Sequence, residues 1–184
     1  MSQNQDQKQE QGQTIPIKQL DVALNPNFFF RNLIRSLSGV LEDVVGLDDA
    51  SGFISIVGQN IGSEINQAYK GELGVSKLDK DQVAEVLVDL KARIGGDFSL
   101  EEQSDDKLVF ANNACPFGES VLDRPSMCMM TSNVFGSISA QNLGYAKVVI
   151  EEAIATRCNG CRVVVHLDHT EEAESSEGRE YFGT

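Results

Sequence analysis

Four cysteines are the residues whose type and spacing could do chemistry in this chain. They are gathered in its C-terminal part, at Cys115, Cys128, Cys158 and Cys161. Thiolates are preferred ligands of zinc and of iron–sulfur clusters. Cysteines that merely fill a core would be scattered along the chain, so this grouping predicts a shared site of up to four thiolates.

The local sequence around each cysteine indicates how it could be presented. Cys158 and Cys161 flank Asn159-Gly160, a strong signal for a two-residue β-hairpin turn. Residues that flank such a turn face each other across the strands, which favours a metal knuckle or a small disulfide. Cys128 is expected in the first turn of a helix, where unpaired backbone N–H groups favour its thiolate. Cys115 is expected in a loop after a strand.

Two alternatives stay open for these residues. Cys115 and Cys128 could be small apolar residues of the core. Glu119 or Asp123 could supply an oxygen ligand if Cys158 takes no part. The sequence contains no phosphate-binding loop, dinucleotide fingerprint or zinc-protease motif, and no serine has evident His and Asp partners. We therefore expect that the protein is not an enzyme.

The charge of the chain excludes several classes of partner. Fifteen Lys and Arg stand against 28 Asp and Glu, giving a net charge of −13. Such a surface repels phosphate backbones and anionic lipid, so direct binding to nucleic acid or membranes is not expected. No apolar run reaches the ~20 residues of a membrane helix, and the first residues lack the apolar core of a secretory signal. These features predict a cytoplasmic protein.

The periodicity of apolar residues predicts the elements that must position the cysteines. Helical spacing predicts helices near 28–45, 50–69, 79–94 and 125–144. Short β patterns are expected near 98–100, 108–110, 145–154 and 162–167. Three helices, a hairpin, a helix and a hairpin indicate an α+β fold, with a helical layer packed on a small antiparallel sheet. Gln-rich residues 1–19 are predicted to be a disordered tail, 20–167 a single domain, and 168–184 an acidic tail.

The predicted helical layer could also wall a pocket against the sheet. Phe28, Phe29, Phe30, Ile54 and Val57 are the apolar residues that we expect there, although core packing explains them equally well. Gly52, Gly58 and Gly62 indicate that another backbone approaches the second predicted helix closely.

The stretch from NNACPFGESVLDRPSMCMM to CNGCRVVVHL, residues 112–167, resembles a methanogen output domain, a module of prokaryotic signalling proteins. The likeness extends more loosely back to about Phe28, where VVGLDDA and GQNIG resemble vinyl-reductase-type ligand-binding domains. A weaker similarity is to the C-terminal halves of iron–sulfur-cluster repressors. By this resemblance, Cys115, Cys128 and Cys161 match the cysteine positions of the family. The fourth ligand would then be Cys158, a carboxylate or an exogenous group.

Together these features lead to one main hypothesis and two alternatives. The main hypothesis is a regulatory domain whose cysteines hold an iron–sulfur cluster that senses redox state or oxygen. The alternatives are a small-molecule-binding module with a structural zinc ion, or a non-catalytic adaptor that binds another signalling protein. The resemblance and the small-residue helix faces also imply a homodimer.

Overall fold

The computed structural model describes residues 17–19, 21–22 and 24–183 of the chain. Of the predicted Gln-rich tail, a short 3₁₀ turn at Ile17–Gln19 is described. Residues 1–16 lie outside the described residues, so the prediction of disorder there stays a prediction. Within the described ranges no helix is long and apolar enough to cross a membrane.

Three helices form the N-terminal part of the fold: α1 (Pro26–Val45), α2 (Leu47–Leu73) and α3 (Lys80–Arg93). Asn25 begins α1 by accepting a hydrogen bond from the backbone N–H of Phe28 at 2.9 Å. Asp79 and Gln82 form a reciprocal capping box at the start of α3. In such a box each side chain satisfies a backbone N–H group that has no partner within the helix.

The sheet is antiparallel and has the order β1-β2-β4-β3-β5. Its strands are β1 (Ser99–Gln103), β2 (Lys107–Asn112), β3 (Tyr145–Glu152), β4 (Cys161–His166) and β5 (Arg179–Phe182). The two predicted hairpins therefore share one sheet, because β2 pairs directly with β4. Helices precede and cover this sheet, and the predicted α+β fold is confirmed.

Helix α4 (Cys128–Leu143) lies between the sheet and α2 and is buried along most of its length. On the sheet side, the Phe135 ring packs edge-on against Phe110 and Phe98, with ring centroids 5.3 and 5.5 Å apart. On the other side, α2 approaches so closely that a Cβ added at Gly58 would lie 2.7 Å from the Asn133 Cβ. The predicted close approach is therefore confirmed at Gly58 and Gly62, where α4 makes it, and is wrong at Gly52, where an added Cβ would meet nothing within 4 Å.

Two features of the C-terminal half differ from the sequence prediction. The connection between β3 and β4 is not a two-residue hairpin. It runs through a 3₁₀ turn at Ile154–Thr156, and Glu152 of β3 pairs with Arg162 of β4. The segment predicted as an acidic tail contains a short helix, α5 (Glu171–Ser175), and β5, which pairs with β3 at the edge of the sheet.

Candidate functional site

Three of the four cysteines meet at one end of the sheet. Cys115, Cys128 and Cys161 line a cavity of ≈ 20 Å³, room for about one water molecule. Cys161 is the first residue of β4, and Cys128 the first of α4. Cys115 comes from the loop after β2, so the fold brings together residues separated by up to 46 positions in the chain.

Hydrogen bonds with neighbouring residues hold Cys115 and Cys161 in place. The Ile154 N–H donates to Cys161 Sγ at 3.4 Å. The Cys161 N–H donates to Asn112 Oδ1 at 3.1 Å. Gly118 closes a turn on Cys115 by donating its N–H to the Cys115 carbonyl at 2.8 Å. The positive φ of Gly118, 58°, is one that residues with a side chain rarely adopt.

A buried lysine completes the surroundings of the three thiols. Lys91 of α3 is only 4% exposed, and its Nζ donates to Thr131 Oγ1 at 2.8 Å. The same nitrogen lies 5.3 Å from the ring centroids of Phe98 and Phe135. Burial lowers the pKa of Lys91 to about 8, and the three neighbouring cysteines oppose that shift. The Lys91 amine and the three thiols therefore form a small polar cluster within the apolar core at this end of the sheet.

Burial also controls the state of the thiols. It raises the pKa of Cys115 and Cys161, and it raises that of Cys128 to about 12, with the two neighbouring cysteines adding to the shift. The charged form of a thiol loses solvation when it is buried. Burial therefore favours the neutral thiol form of Cys115, Cys128 and Cys161.

The fourth cysteine does not join this cavity. Cys158 is exposed, and its Sγ lies 3.8 Å from Thr156 Oγ1. The predicted two-residue hairpin between Cys158 and Cys161 is wrong, because Glu152 of β3 pairs with Arg162 of β4 and a longer connection joins the two strands. A role for Cys158 as the fourth ligand stays a prediction.

The predicted metal ligands can be compared with this arrangement. Three thiols on one cavity are a donor set suited to zinc or an iron–sulfur cluster. However, among residues 17–19, 21–22 and 24–183, no three His, Cys, Asp or Glu side chains are grouped so that they could hold a metal ion. Asp123, an alternative ligand, is paired with Arg157, whose Nε donates to Asp123 Oδ1 at 3.0 Å. The donor types fit a metal, but their present placement does not fit one.

A second and larger cavity lies between the helices. It has a volume of ≈ 310 Å³ and exposes an entirely apolar surface. It is walled by α1, by α2 and by the residues that lead into α4, including Leu37, Leu41, Phe53, Val57, Met127 and Met130. Cavities of a few hundred Å³ with apolar walls are typical small-molecule sites.

The sequence identified only part of this apolar cavity. Ile54 and Val57 line it as expected. Phe28, Phe29 and Phe30 do not, and their side chains are 52–57% exposed. The lining that was missed comes mainly from α1. Met127 and Met130 belong to a sulfur-rich stretch whose sequence is consistent with a pocket wall as well as with core packing.

The two cavities share a wall. Phe117 and Met127 line both the thiol cavity and the apolar cavity. The loop that carries Phe117 is tied to α1, because Arg35 Nη1 donates to the Ser120 and Leu122 carbonyls, each at 2.7 Å. The site thus consists of an open apolar cavity within the helical layer and, beside it, a cluster of three thiols at the end of the sheet.

Comparison with known proteins then gives the family. Residues 33–166 match methanogen output domain 1, and the chain belongs to this family. This is the family that the sequence resemblance indicated. No protein with a curated description matches the sequence.

Two solved structures share the fold. One is the phenol-responsive sensory domain of the transcription activator PoxR, with phenol; the TM-score is 0.63 at 15% identity, over 79% of this chain and 78% of that one. The other is a trafficking protein particle complex subunit 3 from Naegleria fowleri, covalently bound to palmitic acid. Its TM-score is 0.52 at 10% identity, over 85% of this chain and 99% of that one.

Proposed function

We propose that this chain is a sensory domain that binds a small uncharged apolar molecule in the cavity between α1, α2 and α4. The observation that carries the proposal is the cavity itself, ≈ 310 Å³ with a wholly apolar surface. The two structures of similar fold support a ligand with an apolar ring or chain, since one is a structure with phenol and the other is covalently bound to palmitic acid. A regulatory role agrees with the family.

The binding energy would come from removing apolar surface from water. This gain is about 25 cal/mol per Å² of apolar area. A ring-sized ligand of roughly eight heavy atoms is therefore expected to bind with a Kd between about 1 μM and 1 mM.

Calorimetry and thermal unfolding with a panel of apolar ligands test the proposal. Val57→Phe should fill the cavity and weaken binding at least about tenfold, since Val57 is part of its lining. Ile56→Phe is the matched control, because Ile56 is the preceding residue of α2, is 59% exposed and does not line the cavity. Equal loss in both variants, or binding that survives Val57→Phe, would refute the proposal.

The shared wall suggests how a ligand bound in the apolar cavity could affect the thiol cavity. A ligand in the apolar cavity would contact Phe117 and Met127, which also line the thiol cavity. Ligand binding should then change the rate at which Cys115, Cys128 and Cys161 are alkylated. A rate unchanged at saturating ligand would exclude this route.

A second candidate function is a metal- or redox-responsive site at the thiol cavity. It is favoured by the convergence of Cys115, Cys128 and Cys161 on one space. An iron–sulfur cluster and a structural zinc ion both remain predictions, and either requires the sulfurs to move into ligating positions. Anaerobic purification with analysis for iron, sulfide and zinc distinguishes them, and protein that stays metal-free after reconstitution would refute both.

The partner of the domain is proposed to be a second copy of the chain, with an adaptor role towards another signalling protein as the alternative. Outside the cavity lining, helix α1 carries large apolar side chains that are more than half exposed, among them Phe29, Val40 and Val44. Exposed apolar patches of this kind mark interaction surfaces. Light scattering that gives a monomer at high micromolar concentration would exclude the homodimer.

A further inference from the structure

We propose that the part of the ligand buried in the apolar cavity is a hydrocarbon group without any hydrogen-bonding atom. This inference rests on the proposed function and narrows its ligand class. It excludes ligands that must bury a hydroxyl, amine or carbonyl group between α1 and α2. A polar group of the ligand would have to remain at the opening of the cavity.

The first support is the state of Ser38, the polar side chain of the lining. Its hydroxyl lies 3.2 Å from the Ser126 hydroxyl, and Ser126 in turn donates to Glu42. Because Ser126 uses its proton on Glu42, Ser38 donates to Ser126. Ser38 is only 5% exposed, so its hydroxyl belongs to this buried chain of hydrogen bonds and not to the cavity surface.

The second support is the backbone around the cavity. The lining residues of α1, α2 and α4 lie within helices, where N–H and C=O groups pair with each other. Met127 donates its N–H to the Arg124 carbonyl at 3.1 Å, and the Phe117 carbonyl accepts from Ser120 at 3.3 Å. The surface that the cavity exposes is accordingly apolar throughout.

A ligand hydroxyl placed in this cavity would lose its bonds to water and gain no partner. Such unpaired burial is costly, whereas a methyl group of the same size gains from burial. We therefore expect p-xylene to bind at least about 30-fold more tightly than benzene-1,4-diol, because the diol cannot keep both of its hydroxyls at the opening. The two compounds have nearly the same shape, and the diol carries a hydroxyl in place of each methyl group.

Calorimetry or ligand-observed NMR in sealed tubes measures this ratio on the full chain. Val57→Thr places a hydroxyl in the lining at nearly constant volume, and it should reduce the preference for p-xylene at least about threefold by offering a partner. Val40→Thr is the control, because Val40 is 62% exposed on α1 and does not line the cavity; it should leave the ratio unchanged.

The outcomes separate this inference from the function on which it rests. A wild-type ratio below about 30, or a ratio that Val57→Thr does not move, would overturn the hydrocarbon assignment while ligand binding itself stands. If neither compound binds, the proposed function fails. A ratio above about 30 that falls in Val57→Thr and not in Val40→Thr supports the inference.

Discussion

Replacing Gly58 by alanine tests the contact between α2 and α4 on which the whole helical layer depends. The added Cβ would lie 2.7 Å from the Asn133 Cβ and 3.5 Å from the Met130 carbonyl oxygen. Both Cβ atoms are fixed by their backbones, so no rotamer change can relieve the contact. Asn133 is also held in place, because its Nδ2 donates to Ser55 Oγ at 2.9 Å and to the Met129 carbonyl at 2.7 Å.

Two opposing effects set the size of the change. Alanine is favoured over glycine inside a helix by about 1 kcal/mol. Overpacking a well-filled contact costs about 1–3 kcal/mol. Since the helices themselves must separate, we expect the upper half of that range and a net loss of about 1–2 kcal/mol in the free energy of unfolding. For a chain of this length the melting temperature should fall by about 2–8 °C.

Gly52→Ala provides the matched control on the same helix. An added Cβ at Gly52 meets nothing within 4 Å, so only the helix preference acts there. That variant should be stabilised by about 0.5–1 kcal/mol. Urea and thermal unfolding followed by circular dichroism measure both variants. If Gly58→Ala is stabilised as much as Gly52→Ala, the close packing of α2 on α4 is refuted.

Three further predictions concern a helix cap, an ion pair and the exposed thiol. Asp79→Ala should destabilise the protein by about 1 kcal/mol in urea unfolding, and Asp79→Asn by much less, because Asp79 caps α3. Arg157 holds the pKa of Asp123 below its usual value. The stability that this ion pair contributes is therefore present above the ordinary carboxyl pKa, and it is lost as the pH falls through the lowered pKa of Asp123. Asn tolerates the positive φ of 59° at this position. Asp123→Asn should therefore lose less stability than the wild type as the pH falls below about 4, and an unchanged dependence of the unfolding free energy on pH in this range would contradict the prediction. Cys158 is exposed whereas the other three cysteines are partly buried, so a thiol reagent should show one fast phase, which Cys158→Ser abolishes.

The helices and the order of elements were predictable because their signals are local. The capping residues Asn25 and Asp79 and the spacing of apolar residues locate α1 and α3 closely. The β3–β4 connection was not predictable in the same way. Asn159-Gly160 favours a tight turn locally, but Glu152 pairs with Arg162, and the intervening residues pack Ala153 and Ala155 into a separate apolar cluster.

The candidate site was likewise predictable only where its signal is local in the sequence. The sequence identified the cysteines and two residues of the apolar cavity, Ile54 and Val57. It gave no sign of Lys91, whose position in α3 resembles that of any surface lysine. Lys91 reaches the thiols only because α3 packs beside α4 and Phe98, an arrangement that depends on contacts distant in sequence.

By itself, then, the sequence determined helices α1 to α4 and strands β1 to β4, the α+β class, the acidic charge and the cysteines that could share a site. These depend on side-chain type and spacing within a few turns of chain. Only the tertiary structure decided that Cys158 stands apart, that Lys91 joins the other three thiols, and that an apolar cavity opens beside them. Each of these depends on how α1, α2 and α4 pack over the end of the sheet, and such packing joins residues that no local pattern connects.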